Sequence, residues 1–180
     1  MERNAPRLGV DFSTIDGIVL SHGHWDHAGA LPAAVRLAGA ANGNRSVPVF
    51  VHPEMFRQRA MTLASGAVVP IKAIPHPQEL KDLGANVLSS TEPQFLFDDY
   101  FWISGEIPRV TTYEKGFPGH MRRSEDGSSW EPDPFIMDER FVAVHVRDRG
   151  SSCSPPAHVP VWSMYSSTPE SHFRRLLFTQ

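Results

Sequence analysis

Ser21-His22-Gly23-His24-Trp25-Asp26-His27-Ala28-Gly29 places four side chains able to ligate a metal, His22, His24, Asp26 and His27, within six residues. The stretch follows Ile15-Asp-Gly-Ile-Val-Leu20, a short, apolar and β-branched run that reads as a buried strand. It precedes residues 30–41, an Ala/Leu-rich segment that reads as a helix with Pro32 in its first turn. His22 and His24 are two apart, so in an extended loop they point the same way. Imidazole nitrogens suit Zn²⁺, and a carboxylate adds an oxygen ligand and charge compensation. Gly23 permits the sharp turn that would let four donors serve two ions. Two adjacent divalent ions can activate a water and hold a substrate oxyanion. The competing reading is a polar loop with incidental histidines. The H-x-H-x-D-H spacing, set between a buried strand and a small-residue helix, weighs strongly against it.

Outward from this loop, residues 47–51 form a second buried strand, and 53–63 read as a helix opened by Pro53. Residues 65–77 are irregular, and 79–83 make a short helix stopped by Gly84. Strands are expected at 86–89, 94–97, 100–104 and 141–146, and 105–134 reads as one long loop rich in Gly, Pro and charge. The order β, α, β, α and then strands predicts an α/β layered fold. At 180 residues the chain has the size of one ordinary domain, and 41% apolar with 21% charged residues is globular composition. The net charge of −3, without a block of like charge, argues against a nucleic-acid or membrane-surface partner. No apolar run approaches the ~20 residues of a membrane helix. The start Met1-Glu2-Arg3-Asn4 is no signal peptide, and a single cysteine, Cys153, excludes a disulfide framework and a Cys-based zinc site. A cytoplasmic protein is the expectation.

The H-x-H-x-D-H loop resembles that of the metallo-β-lactamase superfamily. Leu8-Gly-Val-Asp-Phe-Ser-Thr-Ile-Asp16, Gly105-Glu-Ile-Pro-Arg109, and residues 134–140 with their Asp138-Glu139 pair resemble one branch of it. That branch includes the dihydropterin–ribofuranosylaminobenzene 5′-phosphate synthases. The resemblance runs over about residues 5–149. It implies a metallo-β-lactamase αβ/βα sandwich, incomplete in this chain, with a site for two divalent metal ions at a sheet edge. Zn is the first expectation, with Fe or Mn as alternatives. By motif position His22 and His24 would ligate the first ion, and Asp26 and His27 the second. Asp26 would also accept a proton. Glu106 and Arg109 would fall near the substrate. For Arg109 two readings stand, a guanidinium clamp on a phosphate or carboxylate and a surface ion pair. His52, His76 and His120 match no ligand motif and read as surface or satisfied histidines. The implied activity is metal-dependent hydrolysis of an ester or phosphoester in a small-molecule substrate, which a phosphate group would suit. The alternatives are a transferase of the dihydropterin synthase-like type and a non-catalytic fragment or pseudoenzyme.

Composition changes after Gly150. Residues 151–180 have no Gly, Lys or Asp and a single Glu, with seven Ser and four Pro. No strand or helix period is sustained there. The resemblance calls for a Cys-Ser-His-Ala-Gly segment and a Gly-Gly-x-His segment, each bringing a metal-binding histidine, and for additional strands before Leu8; none is found. Back-translated and read two bases on, the tail permits an apolar strand followed by Cys-Ser-x-Ala-Gly, with Cys or Arg at x. Residues 1–149 are therefore expected to form a partial domain. Residues 150–180 are expected to be an aberrant tail, disordered or out of the ancestral frame; a genuine lineage-specific tail is the competing reading. His158 and His172 are not taken as the missing ligands. Half a sandwich would leave apolar surface in water at roughly 25 cal/mol per Å², so a partly molten chain is expected.

Overall fold

A computed structural model describes residues 1–110, 112–146 and 150–154, with side chains through 144. In chain order the regular elements are β1 (Ile18–Val19), α1 (Trp25–Ala28), α2 (Leu31–Ala41), β2 (Val47–Val51), β3 (Arg59–Thr62), β4 (Val68–Pro70) and α3 (Pro77–Asp82). They continue with β5 (Ala85–Ser89), β6 (Gln94–Leu96), β7 (Phe101–Ile103), β8 (His120–Arg123), β9 (Trp130–Pro132), β10 (Val142–Val146) and β11 (Gly150–Ser154). Mixed helices and sheets make the fold α/β, as read from the sequence.

The described residues form three sheets. β1, β2 and β5 lie side by side, all parallel, with β2 central. A parallel strand is covered on both faces and needs a near-continuous apolar run. In β2, Val47, Val49, Phe50 and Val51 are all buried. α2 buries Leu31, Ala34, Val35 and Ala38, the i, i+3, i+4, i+7 stripe of a core-facing helix. Leu31 and Val35 pack with Val49, Val51, Met55 and Leu80 in the main core. The other two sheets are antiparallel, ordered β11-β10-β7-β6 and β4-β3-β8-β9. Trp102 and Phe141, ring centroids 5.3 Å apart, join Ile107 and Ala143 in a second, smaller core.

Several elements depart from the sequence reading, among them β4, which pairs with β3 within a stretch read as irregular. The helix expected over 53–63 is a single 3₁₀ turn, Pro53–Phe56, followed by β3. Arg, Ala and Met are good helix formers, but pairing with β4 and β8 overrides that preference. From β3, Arg59 also reaches the buried Asp138 carboxylate. The loop expected over 105–134 contains the hairpin β8–β9, turned at Ser124–Ser129 with Gly127 at φ +71° and Asp126 accepting from Ser128 N–H. Beyond Gly150, where no strand was expected, β11 pairs in register with β10. Most of the 150–180 segment lies outside the described residues, as do His158 and His172.

Candidate metal centre

Ligands in open parallel sheets gather beyond the carboxyl ends of the strands. Here the loop after β1 carries His22 and His24, and His52 directly follows β2. Leu20 N–H donates to the Phe50 carbonyl at 3.1 Å, extending the β1–β2 pairing up to the loop. His24 is the N-terminal flank of α1, which carries Asp26 and His27. The imidazoles of His22 and His24 meet edge to face at 4.8 Å between centroids, and those of His22 and His27 lie 4.2 Å apart. His22 and His24 are buried, and His27 is at the rim. The Asp26 carboxylate is 78% exposed, with Oδ2 3.6 Å from His27 Nε2. The four motif side chains are thus brought to one end of the parallel sheet.

Residues 138–140 hold the loop in place. Gly23 N–H donates to Asp138 Oδ2 at 2.8 Å, and Arg59 Nη2 donates to Asp138 Oδ1 at 2.5 Å. Burial pushes the Asp138 carboxyl up, but the Arg59 charge and these hydrogen bonds outweigh it and hold the group below its ordinary value. Arg140 N–H donates to the Ser21 carbonyl at 2.8 Å, and its Nη2 donates to the Phe50 carbonyl at 2.8 Å. Burial lowers Arg140 to about 10, with Asp138 opposing the shift. Gly23 itself is fixed by space: a Cβ there would stand 2.2 Å from the Met55 carbonyl oxygen.

His52 and His120 are fully buried, so neither is a surface residue as the sequence reading allowed. His52 Nδ1 accepts from Glu54 N–H at 3.2 Å, and its Nε2 lies 3.2 Å from Glu106 Oε1. Burial pushes His52 down, against the pull of Asp138 and Glu106. His120 begins β8 and brings its Nε2 within 3.0 Å of His24 Nε2. Sequence reasoning missed it because its partner is 96 positions away. His76 caps α3, accepting from Gln78 N–H.

Arg109 forms an ion pair, with Nη2 2.8 Å from Glu139 Oε2 and 2.7 Å from the Phe135 carbonyl. The pair is buried rather than on the surface. Arg109 and Glu139 line a cavity of about 170 Å³ with Tyr113, Lys115 and Phe117. Phe117 stacks on His120, ring centroids 6.2 Å apart, so the cavity adjoins the histidine cluster. Glu106, half exposed, faces His52 instead.

Among the described residues, no group of three or more His, Cys, Asp or Glu side chains is arranged so that it could hold a metal ion. The donor set nevertheless suits a borderline divalent metal: clustered imidazoles with one accessible carboxylate beside them.

A sequence model of the metallo-beta-lactamase superfamily matches residues 1–94. The chain is 28% identical over 162 residues to the 7,8-dihydropterin-6-methyl-4-(beta-D-ribofuranosyl)-aminobenzene-5'-phosphate synthase of Methanocaldococcus jannaschii, a match that covers 87% of this chain and 52% of that protein. A crystal structure of a metal-dependent hydrolase of the beta-lactamase superfamily resembles the fold with a TM-score of 0.59 at 18% identity, over 84% of this chain and 49% of the other. The chain therefore spans about half the length of these relatives.

Proposed function

Because the chain belongs to the metallo-β-lactamase superfamily, we propose that it carries the divalent-metal half-site of a hydrolase-like enzyme acting on an ester or phosphoester of a small molecule. The observation that carries this reading is the convergence of His22, His24 and His27 at the carboxyl end of the parallel sheet. His22 and His24 would hold one ion, and Asp26 and His27 a second, with zinc favoured and iron or manganese also compatible with the donors. Bound metal would supply Lewis acidity and an activated water.

The chain's own residues do the rest. Asp138, through Gly23 N–H, and Arg140, through the Ser21 carbonyl, fix the loop from beneath. Asp26 is exposed enough to take up a proton. Glu106 steadies the buried His52 beside the loop. Arg109 and Lys115 put two cations on the cavity next to His120, where an anionic substrate group would be received. Arg109 would share its guanidinium between that group and Glu139, since its planar fork offers several donors.

The likeness to a synthase whose name specifies a pterin-linked 5'-phosphate compound supports a second reading, a transferase that uses the same metal loop to bind a phosphorylated or pterin-like substrate. Metal analysis comes first. Near two equivalents of zinc or iron per chain supports either enzyme reading, and far below one supports a non-catalytic role. A screen of phosphodiesters, lactones and thioesters on zinc-loaded protein then separates the two. Turnover of any supports a hydrolase, and none at full occupancy counts against it.

A further inference from the structure

The His52 side chain is fully buried directly after β2, and its imidazole caps the 3₁₀ turn Pro53–Phe56. Nδ1 accepts from Glu54 N–H at 3.2 Å, so the neutral ring carries its proton on Nε2, which lies 3.2 Å from Glu106 Oε1. The His52 backbone N–H donates to Met55 Sδ at 3.3 Å, and its carbonyl accepts from Met55 N–H at 3.1 Å. One residue thus sets the turn through both its ring and its backbone.

The turn in its turn seats the histidine loop. Met55 presents its backbone to Gly23, where no Cβ has room. The Glu54 carbonyl accepts from Arg59 Nη2 at 3.3 Å, Arg59 bonds Asp138, and Asp138 accepts from Gly23 N–H. A closed circuit therefore runs from His52 through the turn, Arg59 and Asp138 to Gly23, the residue between His22 and His24, and back through Met55. It needs an acceptor at His52 Nδ1. An imidazolium has N–H on both nitrogens and accepts nothing, so Glu54 N–H would then face a second donor.

We propose that His52 is a positioning residue for the histidine loop: its neutral ring latches the turn under Gly23, and protonation of that ring releases the loop. The consequence for metal binding rests on the reading above; the latch itself does not. Charged groups face the ring from several elements. Glu106, after β7, and Asp138, before β10, favour the imidazolium, and Arg140 opposes it. Arg59 on β3 is paired with Asp138, and Glu54 turns its carboxylate to Arg57 and Arg122. Burial outweighs the two carboxylates and holds His52 below its ordinary 6.5. The latch is therefore complete above that value and is lost as pH falls through the lower folded one. The opposing account is a histidine that only fills the core. Substituting such a residue lowers stability but removes no titration from Gly23.

The test follows the Gly23 amide and the histidine ring nitrogens of the full, metal-free chain by nitrogen-15 NMR, from about pH 7.5 to about pH 5. His52→Asn keeps an acceptor of the kind that caps helical turns but takes up no proton. His22, His24 and His27 are common to both proteins and cancel in the comparison. We expect an unprotonated Nδ1 on His52 at the start, and a Gly23 shift that follows the His52 titration in the wild type. That component should be missing in His52→Asn. An equal Gly23 shift in both proteins, a proton on Nδ1 at neutral pH, or a wild-type Gly23 resonance that is absent or unmoved overturns the proposal. If His52→Asn does not fold, the wild type alone decides, by whether Gly23 and His52 share one midpoint. Zinc affinity of the wild type at about pH 7.5 tests the metal reading separately. Its absence sinks that reading and leaves the latch standing.

Discussion

Gly23 shows how one residue couples the sequence pattern to the site. Its absent side chain lets the loop press against Met55, and its N–H is tied to Asp138. Gly23→Ala must displace backbone, since the blocking atom is a carbonyl oxygen. It should cost about 1–3 kcal/mol of stability and spread the His22 and His24 rings; denaturant midpoints and metal affinity report the two effects separately. Asp138 is the stronger case. Asp138→Asn would leave the buried Arg59 guanidinium without its counter-charge, a loss of about 3–5 kcal/mol. Because the carboxyl is held below its ordinary 3.8 in the folded chain, its contribution is complete above that value. It is lost as pH falls through the lower folded one. Melting temperature against pH should therefore drop at the acid end in the wild type, and that part of the drop should be absent in Asp138→Asn. His22, His24, Asp26 and His27 were legible because their signal is local, four donors in six residues. His120 was not, because what marks it is a contact with His24 and a bond to Asp133, and neither leaves a trace in the spacing.

At the scale of elements, legibility followed the apolar pattern. β2, β5, α2 and β7 carry runs or stripes whose period states their structure, and the structure places them within a residue or two of the expected bounds. β3, β8 and β9 read Arg-Ala-Met-Thr, His-Met-Arg-Arg and Trp-Glu-Pro. None alternates cleanly, and each is a strand only because its neighbours pair with it. The one usable local hint was Asp126-Gly127 between polar residues, a turn signature overlooked within a long Gly/Pro-rich stretch. α3 gives an element-level prediction. Leu80 is its single fully buried side chain and belongs to the main core, in which Leu20 and Ala28 on either side of the histidine loop also pack. Leu80→Ala should cost about 2–5 kcal/mol. Cobalt affinity measured below the melting transition should stay at the wild-type value. A parallel loss of affinity would mean that the loop depends on α3 packing.

Across the whole molecule, the histidine cluster draws on distant parts of the fold. His22, His24 and His27 follow the parallel sheet, whereas His120 belongs to the β4-β3-β8-β9 sheet. The His24–His120 contact and Asp138, which bonds both Gly23 N–H and Arg59, tie the metal loop to that sheet. Apolar side chains stand on the surface of the described residues. Phe95, Phe97, Tyr100 and Phe101 are exposed on or beside the β6–β7 hairpin, and Val68 and Val69 on β4. A chain this exposed should bind a hydrophobic dye and show a broad thermal transition when free of metal. Metal that binds only the folded state stabilises it by RT ln(1 + [M]/Kd), about 2.7 kcal/mol at a hundredfold excess over Kd. At roughly 2–4 °C per kcal/mol for a chain of this size, zinc should raise the melting temperature by about 5–10 °C. It should also reduce dye binding, and a chelator should reverse both effects. His24→Ala, which removes the imidazole common to the His22 and His120 contacts, should abolish the shift. An unchanged melting curve with zinc in the wild type would show that the sheets are held without an ion and that the histidine cluster is structural.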